Sequence, residues 1–258
     1  MLRHISRFAC VAMLIGLGAC TDGQKTARES LAGGYTAFSG GQFVQAESAA
    51  DEYIAKYPRD SVADEAYYLR GLSRMALGKR TAAVADLQNA IAISDREDLK
   101  AKANRALGDS AYETGQFDVA EKYYLACAYY YGGQKKEALI LFRLGAALQA
   151  QGKWDDARPW FQKVLEMHPE ANLIQRSLVR RDRHYFSLQF GAFKNPAMAQ
   201  NLARQLQTAG LQAFVDSEVR ENDLIFLIRA GQYNTFREAT AARDSMLARY
   251  PMAAVIPF

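Results

Sequence analysis

Gly41, Gly78, Gly115 and Gly152 stand 37 residues apart. The same interval separates Gly34, Gly71, Gly108 and Gly145, and again Ala46, Ala83, Ala120 and Ala157. A spacing kept at three positions over successive copies describes an array of like units, each too small to bury its own apolar face and each stacked on its neighbour. Within a unit, the later glycine is followed by Gln or Lys and divides two segments of helical apolar spacing. Each unit therefore reads as a helix, a short glycine-centred turn and a second helix. Glycine inside a helix costs about 1 kcal/mol against Ala. Its recurrence at Gly34, Gly71, Gly108 and Gly145 predicts a close crossing of the two helices, with the small Ala of the second helix as its facing partner. Tyr112, Phe117 and Tyr124 fill the remaining apolar positions of the third unit, and Trp154, Phe161 and Val164 those of the fourth. Pro58 and Pro169 stop the second helices of the first and last units.

Leu107-Gly108, Tyr112, Phe117, Ala120 and Pro169 together resemble the tetratricopeptide repeat (TPR) pattern. The resemblance implies an α-helical solenoid over 28–169 whose concave surface docks extended peptides or helices, here those of an unidentified protein partner. The period departs from the usual value of about 34, which lengthens helices or turns by about three residues. Tyr129-Tyr130-Tyr131-Gly132-Gly133 falls at a repeat junction and reads either as a surface patch or as filling between repeats. Over 170–182, Leu173, Ile174, Leu178 and Val179 recur at helical spacing among Arg176, Arg180 and Arg181, with Arg183 beyond. This segment is either a helix that caps the last repeat or a basic collar for an anionic partner.

Beyond it the period changes. Tyr185-Phe186-Ser187-Leu188-Gln189-Phe190-Gly191-Ala192-Phe193 alternates as a strand, breaks at Gly-Ala-Phe, and gives way to helical spacing near Asn195. Ile228-Arg229-Ala230-Gly231-Gln232-Tyr233 repeats that design before a second helix. These two strand ends resemble those of the SPOR (sporulation-related repeat) family, over 183–258. The resemblance implies a small α+β domain of order βαββαβ, ferredoxin-like, that binds peptidoglycan and in particular glycan strands stripped of their stem peptides. It also carries Gln189 and Ala192 into the binding surface. Many members of the family have Ser at the position of Ala192, so one hydrogen bond is missing here.

Strand parity sorts the side chains independently of that resemblance. If Phe186, Leu188 and Phe190 pack beneath two helices, Tyr185, Ser187 and Gln189 point to the opposite, open face. In the third strand Ile225, Leu227 and Arg229 share one side, and turning the charge outward sets Arg229 beside Gln189. An open face carrying an amide, a hydroxyl, an aromatic ring and a guanidinium can bond sugar hydroxyls and N-acetyl groups and stack on pyranose rings. Parity nominates Tyr185, Ser187, Gln189, Leu227 and Arg229, and the resemblance, which implies peptidoglycan as the ligand, adds Ala192 to these candidate peptidoglycan-binding residues. Gly191 and Gly231 read as backbone requirements.

The first nineteen residues read as a leader. Arg3 and Arg7 precede an apolar run, Phe8 to Ala19, too short to span a bilayer. Leu17-Gly18-Ala19-Cys20 resembles a bacterial lipobox, which implies a signal peptide over 1–19, cleavage before Cys20, acylation of Cys20 and a lipidated tether over 20–27. Thr21 stands where an inner-membrane retention signal places Asp, which points to the outer membrane and a periplasm-facing chain. Several acyl chains, each stabilised by about 0.8 kcal/mol per buried CH₂, suffice to hold a protein on a membrane.

Composition closes off other classes. With Cys10 lost in the leader and Cys20 acylated, Cys127 is the one remaining cysteine, so no intramolecular disulfide forms; in its apolar helix it reads as a small core residue. The formal charge of +4 moves toward neutrality as Arg3 and Arg7 leave, giving no warrant for nucleic acid. His168 and His184 stand apart from any nucleophile elbow, metal-ligand spacing or phosphate loop, so neither catalysis, metal nor cofactor is expected. The expected protein is an outer-membrane lipoprotein that binds septal glycan strands and recruits cell-wall or division proteins through its repeats. The alternative is an envelope assembly factor whose C-terminal domain mediates protein contacts.

Overall fold

The computed structural model describes residues 28–131, 138–220 and 223–258. The leader, Cys20 and Gly132-Gly133 lie outside the described residues. Among the described residues no helix is long and apolar enough to cross a membrane. The chain divides into two compact units between Leu107 and Gly108.

The first unit holds α1 (28–39), α2 (Phe43–Lys56), α3 (Ala63–Ala76), α4 (Arg80–Ile93) and the start of α5 (Glu97–Glu113). The second holds the end of α5, α6 (Phe117–Tyr131), α7 (Ala138–Ala150), α8 (Trp154–Glu166) and α9 (Ala171–Arg181). It continues with β1 (Phe186–Phe193), α10 (Pro196–Thr208), β2 (Ala213–Arg220), β3 (Asp223–Tyr233), α11 (Phe236–Met246) and β4 (Ala254–Pro257). A TPR-like helical array is thus followed by a small domain of order βαββαβ.

The turn glycines explain the period. Gly41, Gly78, Gly115 and Gly152 have φ of +76°, +75°, +73° and +82°, the left-handed conformation that ends a helix without steric cost only in glycine. The next residue closes the turn in each copy: the N–H groups of Gln42, Lys79, Gln116 and Lys153 donate to the carbonyls of Ala37, Arg74, Ala111 and Leu148 at 2.8, 2.8, 2.9 and 3.0 Å. The three residues beyond the usual repeat length are absorbed between units. Residues 57–62 link α2 to α3, whereas only 94–96 link α4 to α5, and α5 compensates with 17 residues against 14 in α3.

The helix glycines mark close crossings, as their recurrence predicts, but the facing group differs from the expected Ala. A Cβ at Gly71 would lie 2.8 Å from Leu87, one at Gly108 2.8 Å from Tyr124, and one at Gly145 2.9 Å from Phe161. Each of these side chains sits one helical turn beyond Ala83, Ala120 or Ala157. The alanines are fully buried, and the large neighbour a turn later fills the notch left by the missing Cβ. In the first unit Gly34 is met by Ala49 and by Leu69 of α3, each at 2.9 Å. That unit also buries an ion network: Asp86 accepts from Arg70 at 2.6 Å and from Arg74 at 2.7 Å, while Glu47 accepts from Arg74 at 2.9 Å and Lys79 at 2.7 Å.

In the second unit α9 lies on α7 in a manner its apolar spacing does not describe. Leu178 and Val179 face solvent, and Leu173 alone of the four apolar residues packs on the repeat core. Two arginines of α9 lie over the Phe142 ring instead, Arg176 at the surface and Arg180 further in. The Arg176 guanidinium lies 4.4 Å above the Phe142 ring, and Arg180 donates to the Gln149 side chain at 3.1 Å while its carbonyl accepts from the same amide at 2.8 Å. Cys127 is fully buried, as expected of a small core residue. Tyr129, at 94% exposure, belongs to the surface.

The sheet is antiparallel in the order β2-β3-β1-β4. Asn195 caps α10, its side chain accepting from the N–H of Ala197 at 2.8 Å, and Thr235 with Glu238 forms a capping box on α11. Leu188, Phe190, Ile228 and Ala230 pack with Ala199, Ala203 and Leu206 in a core on the helix side. This domain is not a bead on a tether. Trp154 donates from Nε1 to the Asn234 carbonyl at 3.0 Å, its ring lies 4.9 Å from Phe186, and Phe236 sits 5.6 Å from Phe117 and 5.7 Å from Phe186.

The equivalent glycines therefore differ in one respect. A Cβ at Gly78 would meet nothing within 4 Å, whereas one at Gly152 would lie 2.4 Å from the Asn234 side chain. Gly78→Ala is expected to cost about 1 kcal/mol through the left-handed conformation alone, and Gly152→Ala measurably more. Thermal denaturation compares the two, and equal shifts would show that the Asn234 contact adds nothing.

Candidate glycan-binding site

Both strand signatures prove to be β-bulges. Along β1, Leu188 pairs with Ala230 and Gln189 with Arg229, but the next pair is Gly191 with Ile228. Phe190 is therefore the extra residue, and both it and Gly191 lie toward the helices. A Cβ at Gly191 would come within 2.8 Å of Phe193 and 3.3 Å of Leu202, which explains the glycine. In β3, Gly231 with φ +80° and Gln232 interrupt the ladder between the Ala230 and Tyr233 pairs, returning Tyr233 to the core.

The first bulge decides which residues share a face. Uninterrupted alternation would put Ala192 beneath the helices with Leu188 and Phe190. The extra residue turns Ala192 over, opposite Leu227 and on the same side as Gln189 and Arg229. All six candidate residues consequently map to one side of the sheet.

That side is less open than parity alone implied. Ser187 and Leu227 are fully buried and Arg229 is 6% exposed; Tyr185 and Gln189 are half-buried, and Ala192 is exposed. Three interactions account for the cover. The Ser187 hydroxyl donates to the Ala230 carbonyl at 3.1 Å, so it is not presented to a ligand. Arg229 forms an ion pair with Asp216 of β2 and stacks 4.7 Å from the Phe258 ring. Phe258 extends the β1 edge through its N–H, which donates to the Tyr185 carbonyl at 2.7 Å, and its ring lies 5.4 Å from Tyr185 and 5.6 Å from Phe214.

Burial draws the Arg229 guanidinium pKa below its ordinary value, against the pull of Asp216. Its Nε–H is buried without a hydrogen-bond partner. The face thus offers an accessible amide at Gln189 and an aromatic cluster of Tyr185, Phe214 and Phe258, with the unsatisfied guanidinium donor buried beneath them. Such a set can donate to a neutral carbonyl or hydroxyl and stack on a flat apolar ring. Phe214 and Phe258 escaped the sequence reading because their place here depends on pairing between β2 and β3 and on the extension beyond β4. Among the described residues no group of three or more His, Cys, Asp and Glu is placed to hold a metal ion.

Known proteins match the chain in segments. Residues 22–102 match the family described as outer membrane lipoprotein, 105–172 the tetratricopeptide repeat, and 182–257 the SPOR domain. No curated protein matches the chain. Among solved structures, a tetratricopeptide repeat protein from Parabacteroides merdae superposes with a TM-score of 0.53 at 14% identity, covering 71% of this chain and 65% of that one. The structure titled MamA RS-1 ArsTM double mutant gives 0.51 at 17% identity, covering 71% and 96%. These two likenesses establish the helical-repeat fold alone. The two family matches, with the helical repeats and the bulged antiparallel sheet that follows them, make the chain a tetratricopeptide-repeat protein with a C-terminal SPOR domain.

Proposed function

We propose that the protein is an outer-membrane lipoprotein that binds peptidoglycan through its SPOR domain, at glycan strands lacking stem peptides, and recruits cell-wall or division proteins through its repeats. The SPOR match supports the envelope and peptidoglycan reading, and the repeats support a protein-binding role. The observation that carries the glycan reading is the pairing of β1 with β3, which sets Gln189 beside Arg229 and, through the bulge at Phe190, turns Ala192 to the same face. An N-acetyl carbonyl is a neutral acceptor suited to the Gln189 amide, and the sugar's apolar face suits Tyr185 and its aromatic neighbours. Peptide-free strands fit a sheet face because stem peptides would stand between the sugar ring and the strands.

Gln189→Glu is expected to weaken cosedimentation of the full chain with amidase-treated sacculi by about tenfold or more, the worth of one lost charged or well-placed hydrogen bond. Circular dichroism should remain unchanged, since Gln189 is outside the helix-covered core. Arg229→Ala is a less clean probe, because it also strands Asp216 and unseats Phe258. Wild-type sedimentation by Gln189→Glu would remove that residue from the site; equal binding before and after amidase treatment would remove the preference for bare glycan. The full chain is the proper reagent, since a fragment starting at 183 would uncover Phe186 and Phe236.

The match of 22–102 to an outer membrane lipoprotein family favours a second reading, an assembly factor for envelope complexes whose C-terminal domain contacts protein. Absence of sacculus binding under all conditions would select it. Both readings require an anchor at Cys20, so Cys20→Ala is expected to move the protein from the membrane to the soluble fraction and to abolish acyl mass. A variant retained on membranes, with no acyl group on the wild type, would exclude the anchor.

A further inference from the structure

A cavity of about 340 Å³ lies within the second unit, between the last repeats and the sheet domain. Its walls are mainly apolar, with Tyr112, Phe117, Phe186, Phe236 and Val255 among them, and Arg180 supplies its cationic group. The three phenyl rings form a continuous edge-to-face surface, with Phe236 between the other two.

Arg180 is unusual among the partly buried arginines of this chain. Arg70 and Arg74 each hold carboxylates, and Arg143 pairs with Asp109. Arg180 has a neutral amide, Gln149, at 3.1 Å and the Phe142 ring at 5.7 Å, and no carboxylate pairs with it among the described residues. Burial lowers its pKa, Tyr112 opposing and the nearby Arg176 adding to the effect. A guanidinium removed from water normally brings its counter-charge with it. Here that place is left to the cavity. The volume falls in the lower part of the range of ligand sites, which combine apolar walls with a few convergent polar groups.

We propose that this cavity binds a small monocarboxylate bearing an aromatic or branched apolar tail, its carboxylate on Arg180 and its tail against Phe117, Phe186 and Phe236. An inorganic anion would satisfy the guanidinium and leave the aromatic wall unused. A second carboxylate on the ligand would approach Glu113, which lies exposed at the rim. The site is separate from the Gln189 face, and nothing in it requires a glycan.

Equilibrium dialysis of the full chain, with the same nonionic detergent on both sides, tests this with 3-phenylpropionate and its uncharged counterpart 3-phenylpropan-1-ol. Saturable uptake of one acid per chain is expected, with the alcohol at least about tenfold weaker, the usual worth of a charge-assisted hydrogen bond. Arg180→Gln should erase the difference while leaving the circular dichroism spectrum intact. Absence of saturable uptake, equal uptake of acid and alcohol, or an undiminished preference in folded Arg180→Gln would each overturn the proposal. If that variant does not fold, the comparison of acid with alcohol on the unaltered chain decides.

Discussion

Gly108→Leu is expected to lower the melting temperature far more than Lys102→Ala, with a loss of stability above about 3 kcal/mol. The new side chain would start 2.8 Å from the ring of Tyr124, which is fully buried and cannot swing into solvent. The Tyr124 hydroxyl donates to Asp109 at 2.8 Å, and Asp109 also pairs with Arg143. Burial and the Asp109 charge both push the Tyr124 pKa upward, so the phenol stays protonated and donating throughout the working pH range. Displacing the ring therefore overpacks a helix crossing and disturbs a polar group that links α5, α6 and α7. Lys102 is a solvent-facing residue paired with Asp98 at 3.0 Å one turn away, an interaction worth only a few tenths of a kcal/mol. Melting curves followed at 222 nm compare the two variants. Equal midpoints would show that the crossing can relax around a side chain.

Leu188→Asp is expected to unfold the sheet domain. Leu188 is fully buried among Ala199, Ala203, Leu206 and Ile228, at the place where α10 lies on the sheet. A carboxylate there has no cation among those neighbours, and its desolvation costs several kcal/mol, a large share of the 5–15 kcal/mol by which domains are typically stable. The adjacent Gln189→Asp provides the control, because it places the same group on the opposite face of the same strand. Near-ultraviolet circular dichroism and limited proteolysis should separate the two. A folded, protease-resistant Leu188→Asp would mean that the helices cover the other side.

Much of this architecture is written in spacing. A left-handed glycine at a fixed interval can be read directly, because no other residue serves the turn as well. The close crossings were legible too, while their partners were not, since periodicity identifies which residues recur and not which atom fills the gap. Tyr124 and Phe161 vary in type from copy to copy and only geometry shows them doing the same job as Leu87. The sheet face shows the same limit. Alternation assigned Leu188 and Arg229 to opposite sides, but a one-residue bulge is what carries Ala192 over to Gln189, and no alternation rule contains it. Ser187 was placed on the right side of the sheet, yet its hydroxyl is turned back onto the Ala230 carbonyl. Arg176 and Arg180 look like a solvent-facing collar in a list of charges; their long apolar stems let them lie along Phe142 instead.

The contact of Trp154 with Asn234 and Phe186 has a mechanical meaning. The last helix pair and the sheet domain share an aromatic seam, so under the proposed function a glycan strand on the Gln189 face would orient that helix pair as well. The molecule would then work as a bracket, turning the direction of a polymer into the angle at which a neighbouring surface is displayed. Trp154→Ala would remove the ring that covers Phe186 and the hydrogen bond to Asn234, and with them the tie that fixes the angle between helix pair and sheet domain.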